Sequence, residues 1–301
     1  MIDISVIICA YNREQLLRDT LLACDKLLHD INAEIIVVDN NSTDNTKLVV
    51  ENWISLLPQS PLKKIYLFEA RQGLSHARNT GITNARGQIV AFLDDDAIPS
   101  EHWLSNIYNA FTNHPDALAL GGKILPKFET SRPDWLAPKY ETFLSIMDLG
   151  DTDQEYPSGK FPFGANMAFR KEIFNSILFP TNLGRKGNSL LSGEETFLFQ
   201  EIVKQGKIYY IPNMHVIHFI PKERLTKEWL LSRLYAQGVS DIRQNTSRIN
   251  IMYSLRIRWF YYKRKIHMAI NAKYKNDFEK QSKLAYEKGC LDELMSRSYM
   301  E

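Results

Sequence analysis

Several common functional signatures are missing from this sequence. Only three cysteines (Cys9, Cys24 and Cys290) occur in 301 residues. None lies in a close-spaced metal pair, and an odd count leaves no disulfide framework, so they read as reduced thiols of a cytoplasmic chain. No run approaches the ~18 apolar residues of a membrane span. No basic segment followed by an apolar one precedes the first strand, as a secretion signal would. No G-x-G-x-x-G follows an early strand, which disfavours a dehydrogenase. Internal repeats and low-complexity stretches are lacking too. One absence is local: from Asn245 to Lys275 there are eight Lys or Arg and no Asp or Glu, although the chain as a whole carries only +2.

What is present is an ordinary globular composition, 44% apolar and 24% charged, with ample material for a buried core. Apolar, β-branched runs alternate with segments of helical periodicity. "ISVIICAY", "AEIIVVDN", "KKIYLFEA", "QIVAFLDDD" and "ALALGGKI" read as strands. "EQLLRDTLLACDKLLHDI", "NSTDNTKLVVENWISLL", "SHARNTGITNAR" and "SEHWLSNIYNAFTNH" read as helices, the second with Ser42, Thr43 and Asp44 as N-cap candidates. Continuous apolar strands alternating with amphipathic helices imply an α/β fold with a parallel sheet covered on both faces. In such sheets ligands bind at the carboxyl ends of the strands. Asp39 and the triplet Asp94–Asp95–Asp96 fall at two such ends.

Three consecutive carboxylates after "IVAFL" need a physical reason, because unpaired carboxylates repel one another and resist burial. One of them, Asp96, or Ser100 beyond it, would serve as N-cap of the following helix. An acidic patch facing solvent is a further reading. The third is a divalent metal site: carboxylate oxygens suit Mg²⁺ or Mn²⁺, which complete their shells with water and substrate phosphates.

"SVIICAYNR", "IIVVDNNSTDNT", "GLSHARNTGI", "VAFLDDDAIP" and "GEETFLFQEIVKQG" follow one another in the order, and at about the spacing, seen in family 2 glycosyltransferases with the GT-A fold. The chain resembles that family over roughly residues 3 to 220. The resemblance implies a Rossmann-like, mostly parallel central sheet flanked by helices. It implies a nucleotide-sugar donor, UDP-linked in preference to GDP-linked, bound by Ala10, Tyr11, Asn12, Arg13, Asp39, Arg78, Asp94 and Asp95. Asp39 would read the base, since a carboxylate accepts an imide hydrogen; its alternative is a turn residue in "DNNSTD". Arg78 would lie near the diphosphate. Asp96, with Asp94 and His218, would hold Mn²⁺ or Mg²⁺. Gly164 and Asn166 of "FPFGANMAFRKEIF" would lie near the acceptor, with a tight turn as the plain alternative. Glu195, or its neighbour Glu194, would be the general base of an inverting transfer; relatives usually carry Glu-Asp where this chain has Glu-Glu. His215 is a weaker candidate than His218, and Arg233 would reach phosphate from a helix that closes over the site.

The tail lies outside these motifs, which divides the chain into a catalytic domain, 1–244, and a basic helical extension, 245–301. "SLRIRWFYYKRKIHMAI" mixes cations with aromatics. That mixture fits an anionic membrane surface at the inner face of the cell membrane, or a helix packed on its own domain with a solvated basic face. No nucleic-acid motif accompanies it, so nucleic acid is not an expected partner. The acceptor expected is a glycan or lipid-linked hydroxyl. Two other functions stay open: a sugar nucleotidyltransferase, which usually carries a Gly-rich phosphate loop where this chain has "CAYNRE", and a non-catalytic nucleotide-sugar scaffold.

Overall fold

The structure, a computed structural model, describes residues 2–28, 30–56, 62–187, 189–244, 251–270 and 277–297. Arg248, Lys273 and Lys275 of the basic tail lie outside the described residues. The chain divides into two compact units. The first comprises Met1–Thr181 with Glu195–Ile220, and the second comprises Asn182–Glu194 with Pro221–Glu301.

The first unit is built on one sheet. Its strands are β1 (Ile4–Ala10), β2 (Ala33–Asp39), β3 (Lys63–Phe68), β4 (Ile89–Asp94), β5 (Ala97–Pro99), β6 (Ala117–Phe128), β7 (Gln154–Glu155), β8 (Asn166–Arg170) and β9 (Lys207–Ile220). In β1, β2 and β4 nearly every residue is buried. Their unbroken Ile/Val/Leu runs therefore suit strands covered on both faces. The strand order is β3-β2-β1-β4-β8-β6-β9-β5, with β7 beside β9. The β3-β2-β1-β4 half is parallel, and so is the β6–β9 pair, whereas β8 runs antiparallel to both its neighbours. Register levels the carboxyl ends: Ala10 pairs Asp39, Asp39 pairs Phe68, and Cys9 pairs Asp94.

The helices of this unit are α1 (Glu14–Cys24), α2 (Thr46–Leu56), α3 (Leu74–Asn84), α4 (Trp103–Asn113) and α5 (Glu194–Ile202), the last beginning at the boundary between the units. Helix α1 stops at Cys24, not at residue 31 as its leucine spacing suggests. The reason is tertiary: Asp25 leaves the helix to accept the Trp53 indole N–H (2.8 Å) and to pair with Lys64 (2.8 Å). Of the N-cap candidates for α2, Asp44 bonds its first residue: Oδ1 accepts the Thr46 N–H at 3.0 Å and the Thr46 hydroxyl at 2.6 Å. Neither Asp96 nor Ser100 caps α4: His102 occupies the cap position without a side-chain bond, and it is the Ser100 carbonyl that takes the Trp103 N–H.

The second unit is helical, with α6 (Lys227–Gln244), α7 (Ile251–Ile270) and α8 (Phe278–Arg297). It begins well before residue 245, because α6 and α8 pack closely along each other. Two glycines permit the approach: a Cβ on Gly238 would lie 2.2 Å from the Tyr286 carbonyl oxygen, and one on Gly289 would lie 2.0 Å from that of Tyr235. The Tyr286 hydroxyl donates to Asp241 (2.7 Å) and the Tyr235 hydroxyl to Asp292 (2.9 Å). Helix α7 is fastened to α8 by a two-pronged bond from Arg264 to Glu287 (2.9 and 2.8 Å).

Candidate active site

Asp94, the last residue of β4, is half-buried, and Asp95 and Asp96 beyond it are buried. Arg13, three residues past β1, answers much of their charge: its Nη1 lies 2.6 Å from Asp96 Oδ2 and 3.2 Å from Asp95 Oδ1. Burial nevertheless pushes the Asp95 carboxyl above its usual range, against the pull of Arg13 and with the help of its two acidic neighbours. The Asp95 backbone carbonyl accepts the Thr20 hydroxyl (2.9 Å), which anchors the turn to α1.

The other side of Asp96 meets His218. Strand β9 pairs antiparallel with β5, setting Ala97 opposite His218, and the Phe219 N–H donates to the Asp96 carbonyl (2.9 Å). His218 Nε2 thereby lies 3.2 Å from Asp96 Oδ1. Strand alternation decides between the two histidines. Met214, Val216, His218 and Ile220 share the buried face, while His215 points the other way. Among the described residues, Asp94, Asp96 and His218 form a group whose ligating atoms all lie within 4.8 Å of one another.

A divalent cation fits this group. Two carboxylates and an imidazole are oxygen and nitrogen donors, suited to Mn²⁺ or Mg²⁺. Among the described residues no cysteine belongs to the group, and burial pushes the Cys9 thiol up to about 12.

The loops after β1 and β2 are stitched into one rim. Asn12, in a left-handed conformation (φ 52°), accepts the Thr43 N–H at 2.7 Å and donates its own N–H to Ser42 Oγ at 3.1 Å. Asp44 Oδ2 accepts the Glu14 N–H (3.1 Å), and Glu14 Oε2 accepts the Asn45 N–H (2.8 Å), so each loop caps the other's helix. Asn12, expected at the nucleotide, thus has its side chain in this stitch. Ala10 and Tyr11 sit at the same rim, Ala10 buried and Tyr11 half-buried. Asp39 is buried; its Oδ1 accepts the Ser42 N–H (2.9 Å) and its Oδ2 the Tyr66 hydroxyl (2.9 Å). The turn role anticipated for Asp39 is therefore present, and each oxygen keeps a second lone pair.

Asn40 is a residue that sequence reasoning missed. Buried beside Asp39, it donates to the carbonyls of Glu69 (3.2 Å) and Arg71 (2.8 Å) and accepts the Gly73 N–H (2.8 Å). It holds the loop that leads into α3. No sequence pattern signals this, because its partners are main-chain groups of a distant segment.

On α3, Arg78 is buried, with its guanidinium carbon 5.1 Å from the Phe179 ring centre and 5.9 Å from that of Phe92. Its Nη2 donates to Glu195 Oε1 at 2.7 Å. Gly164 lies against this pair: a Cβ there would stand 2.0 Å from Arg78 Nη2 and 2.2 Å from Glu195 Oε1. A side chain at 164 would displace one or both of them. Arg78, Glu195 and Gly164 are thus brought together, and Glu194 is buried one position earlier. Asn166, expected near the acceptor, lies inside the fold. Its side chain is fully buried, accepting the Trp103 indole N–H (2.9 Å) and donating to the carbonyls of Lys123 (3.1 Å) and Met214 (2.6 Å). Arg233, within the second unit, donates to Ser192 Oγ (3.1 Å).

A mostly parallel sheet with acidic groups and a cation-competent trio at its carboxyl edge places the chain among the α/β folds that bind ligands at that edge. The profile of Glycosyl transferase family 2 matches residues 5–178, and the chain belongs to that family. It is similar to the glucosyl-dolichyl phosphate glucuronosyltransferase of Haloferax volcanii, 24% identical over 79% of this chain and 75% of that one. Among solved structures it resembles the mannosyltransferase PcManGT from Pyrobaculum calidifontis, in complex with GDP-Man and Mn²⁺. That match has a TM-score of 0.66 at 18% identity and covers 99% of this chain and 87% of the other. It also resembles S. aureus TarS 1-349 in complex with UDP, at a TM-score of 0.57 and 16% identity, covering 100% and 92%. The fold is accordingly GT-A-like: a mostly parallel central sheet with flanking helices.

Proposed function

We propose that the protein is a metal-dependent, inverting glycosyltransferase that moves a sugar from a UDP-sugar to a hydroxyl of a glycan or lipid-linked acceptor. The observation that carries this reading is the convergence of Asp94, Asp96 and His218 at the carboxyl edge of the sheet in a family 2 chain. Both solved relatives hold nucleotides in their own complexes, and the Haloferax volcanii relative's name denotes transfer to a lipid-linked sugar.

The residues take the following roles. Asp39 accepts the imide hydrogen of uracil with a remaining lone pair. Asp94, Asp96 and His218 hold Mn²⁺ or Mg²⁺, which supplies positive charge to the departing diphosphate. Arg13, now on Asp95 and Asp96, is near enough to neutralise whatever negative charge the bound donor adds. Glu195 takes the proton of the acceptor hydroxyl as it attacks the anomeric carbon from the face opposite the diphosphate. Arg78 fixes the orientation of the Glu195 carboxylate, and Gly164, having no Cβ, lets that pair lie against the backbone at the place assigned to the acceptor.

A panel of UDP- and GDP-sugars tests this. Incubated with Mn²⁺ and with a chelator, the protein should release UDP only with metal. Release of GDP but not UDP would overturn the base assignment. Absence of metal-dependent turnover with every donor would overturn the reaction.

A further inference from the structure

Helix α7 has two opposite apolar faces, and only one is covered within the second unit. Tyr261 is buried, Ile257 and Phe260 are half-buried, and Arg264 is tied to Glu287 of α8. On the other side Leu255, Trp259, Tyr262 and Ile266 are each more than half exposed. Their spacing of four, three and four residues places them within an arc of about 60° along the helix. The same turn per residue sets Arg256 and Lys263 along one border of this stripe and Arg258 and Lys265 along the other. All four cations are exposed, and α7 contains no Asp or Glu. Lys263 Nζ lies 4.6 Å from the Trp259 ring centre, so cation and indole present themselves together.

We propose that this stripe is a docking surface for an anionic lipid bilayer, on which α7 lies in the plane of the interface. A Trp and a Tyr in the middle of an apolar strip, with cations on both sides, match the layered chemistry of that interface: acyl chains, glycerol level and phosphate headgroups. Insertion across the bilayer is a different geometry, and no helix among the described residues is long and apolar enough for it. A second copy of the chain is a poor occupant, because apposed stripes would bring together eight border cations with no acid on either α7. The surface is distinct from the proposed transfer site, and donor hydrolysis without vesicles reads that reaction separately.

The test uses the full chain and vesicles of phosphatidylcholine, with or without about a third of phosphatidylglycerol. Wild type should sediment with the anionic vesicles and not the neutral ones, and its release by salt should follow charge screening. Each border cation is worth about fivefold in partition near an anionic surface, so Arg256→Glu, Arg258→Glu, Lys263→Glu and Lys265→Glu together should weaken it by a hundredfold or more. Leu255→Ser, Trp259→Ser, Tyr262→Ser and Ile266→Ser together should also release the protein while donor hydrolysis persists. The milder Trp259→Phe should keep binding within about twofold yet remove most of the vesicle-induced blue shift of tryptophan fluorescence, as expected of an indole in the interface. Wild type left in the supernatant at low salt, or either combined variant binding as wild type does, would overturn the proposal. Lipid-free dimers abolished by the serine variant, or binding to a duplex oligonucleotide but not to vesicles, would do the same.

Discussion

Glu194 and Glu195 are one position apart, about 100° of helical rotation, and that rotation gives them different surroundings. Glu194 is buried, whereas Glu195 holds the Arg78 guanidinium beside Gly164. If Glu195 is the base, Glu195→Gln should retain metal-dependent donor binding while transfer falls about a hundredfold or more. Glu194→Gln should cost much less. Calorimetric titration of donor beside acceptor turnover separates the two effects, and the reverse pattern would shift the base by one residue. The acids of this site were legible because acids clustered after apolar strands demand a partner. Which partner was not legible. Arg78 reads as a phosphate ligand, or nearly as well as a solvated helix residue, and nothing local says that it meets a carboxylate from a helix far along the chain. Asn40 was missed, and the clamp made by Asn166 was not foreseen, for the same reason, since an amide that clamps distant carbonyls looks like any other Asn.

At the scale of elements, the parallel half of the sheet was written plainly in the sequence. Strands β1, β2 and β4 are apolar on both faces, and that demand is local. The end of α1 was not, because Asp25 is drawn away by Trp53 and Lys64. Nor was the β5–β9 pairing that delivers His218 to Asp96, because antiparallel pairing between remote segments leaves no periodic mark. The link between β3 and α3 gives a prediction of its own. Buried Glu69 accepts three N–H bonds from exposed Arg71, from the backbone N–H (2.8 Å), Nε (2.9 Å) and Nη2 (2.8 Å), and a fourth bond from the Thr80 hydroxyl. Hydrogen bonding to Arg71 is the main cause that holds its carboxyl down at about 2, well below the ordinary 4.5. A depressed native value means that the unfolded chain binds more protons between those limits, so this contribution is full above 4.5 and is lost as pH falls toward 2. The stability difference between wild type and Glu69→Gln in urea should be flat near neutral pH and shrink through that acidic window. A difference that stays constant down to about pH 3 would mean that the Glu69–Arg71 link does not form in solution.

At the scale of the whole molecule, the residues assigned to donor and metal all belong to the first compact unit: Arg13, Asp39, Asp94, Asp96 and His218. Binding to the native state must stabilise the unit that carries the site, by about 2.7 kcal/mol at a hundred times the dissociation constant. For a body of this size, where each kcal/mol is worth about 2–4 °C, that corresponds to a rise of about 5–11 °C in its unfolding temperature. UDP with Mn²⁺ should therefore raise the melting temperature of wild type more than UDP alone. The protection should appear as slowed amide exchange in β4 and β9, which carry the cation-competent trio. Asp96→Ala removes the carboxylate shared by Arg13 and His218, and should abolish most of the metal-dependent increment while leaving any metal-free nucleotide shift. If Mn²⁺ adds the same increment to both proteins, the cation binds elsewhere and the assignment of Asp96 fails. If slowed exchange is instead confined to α6 and α8, the nucleotide is held by the second unit, and the strand-edge location proposed for it is wrong.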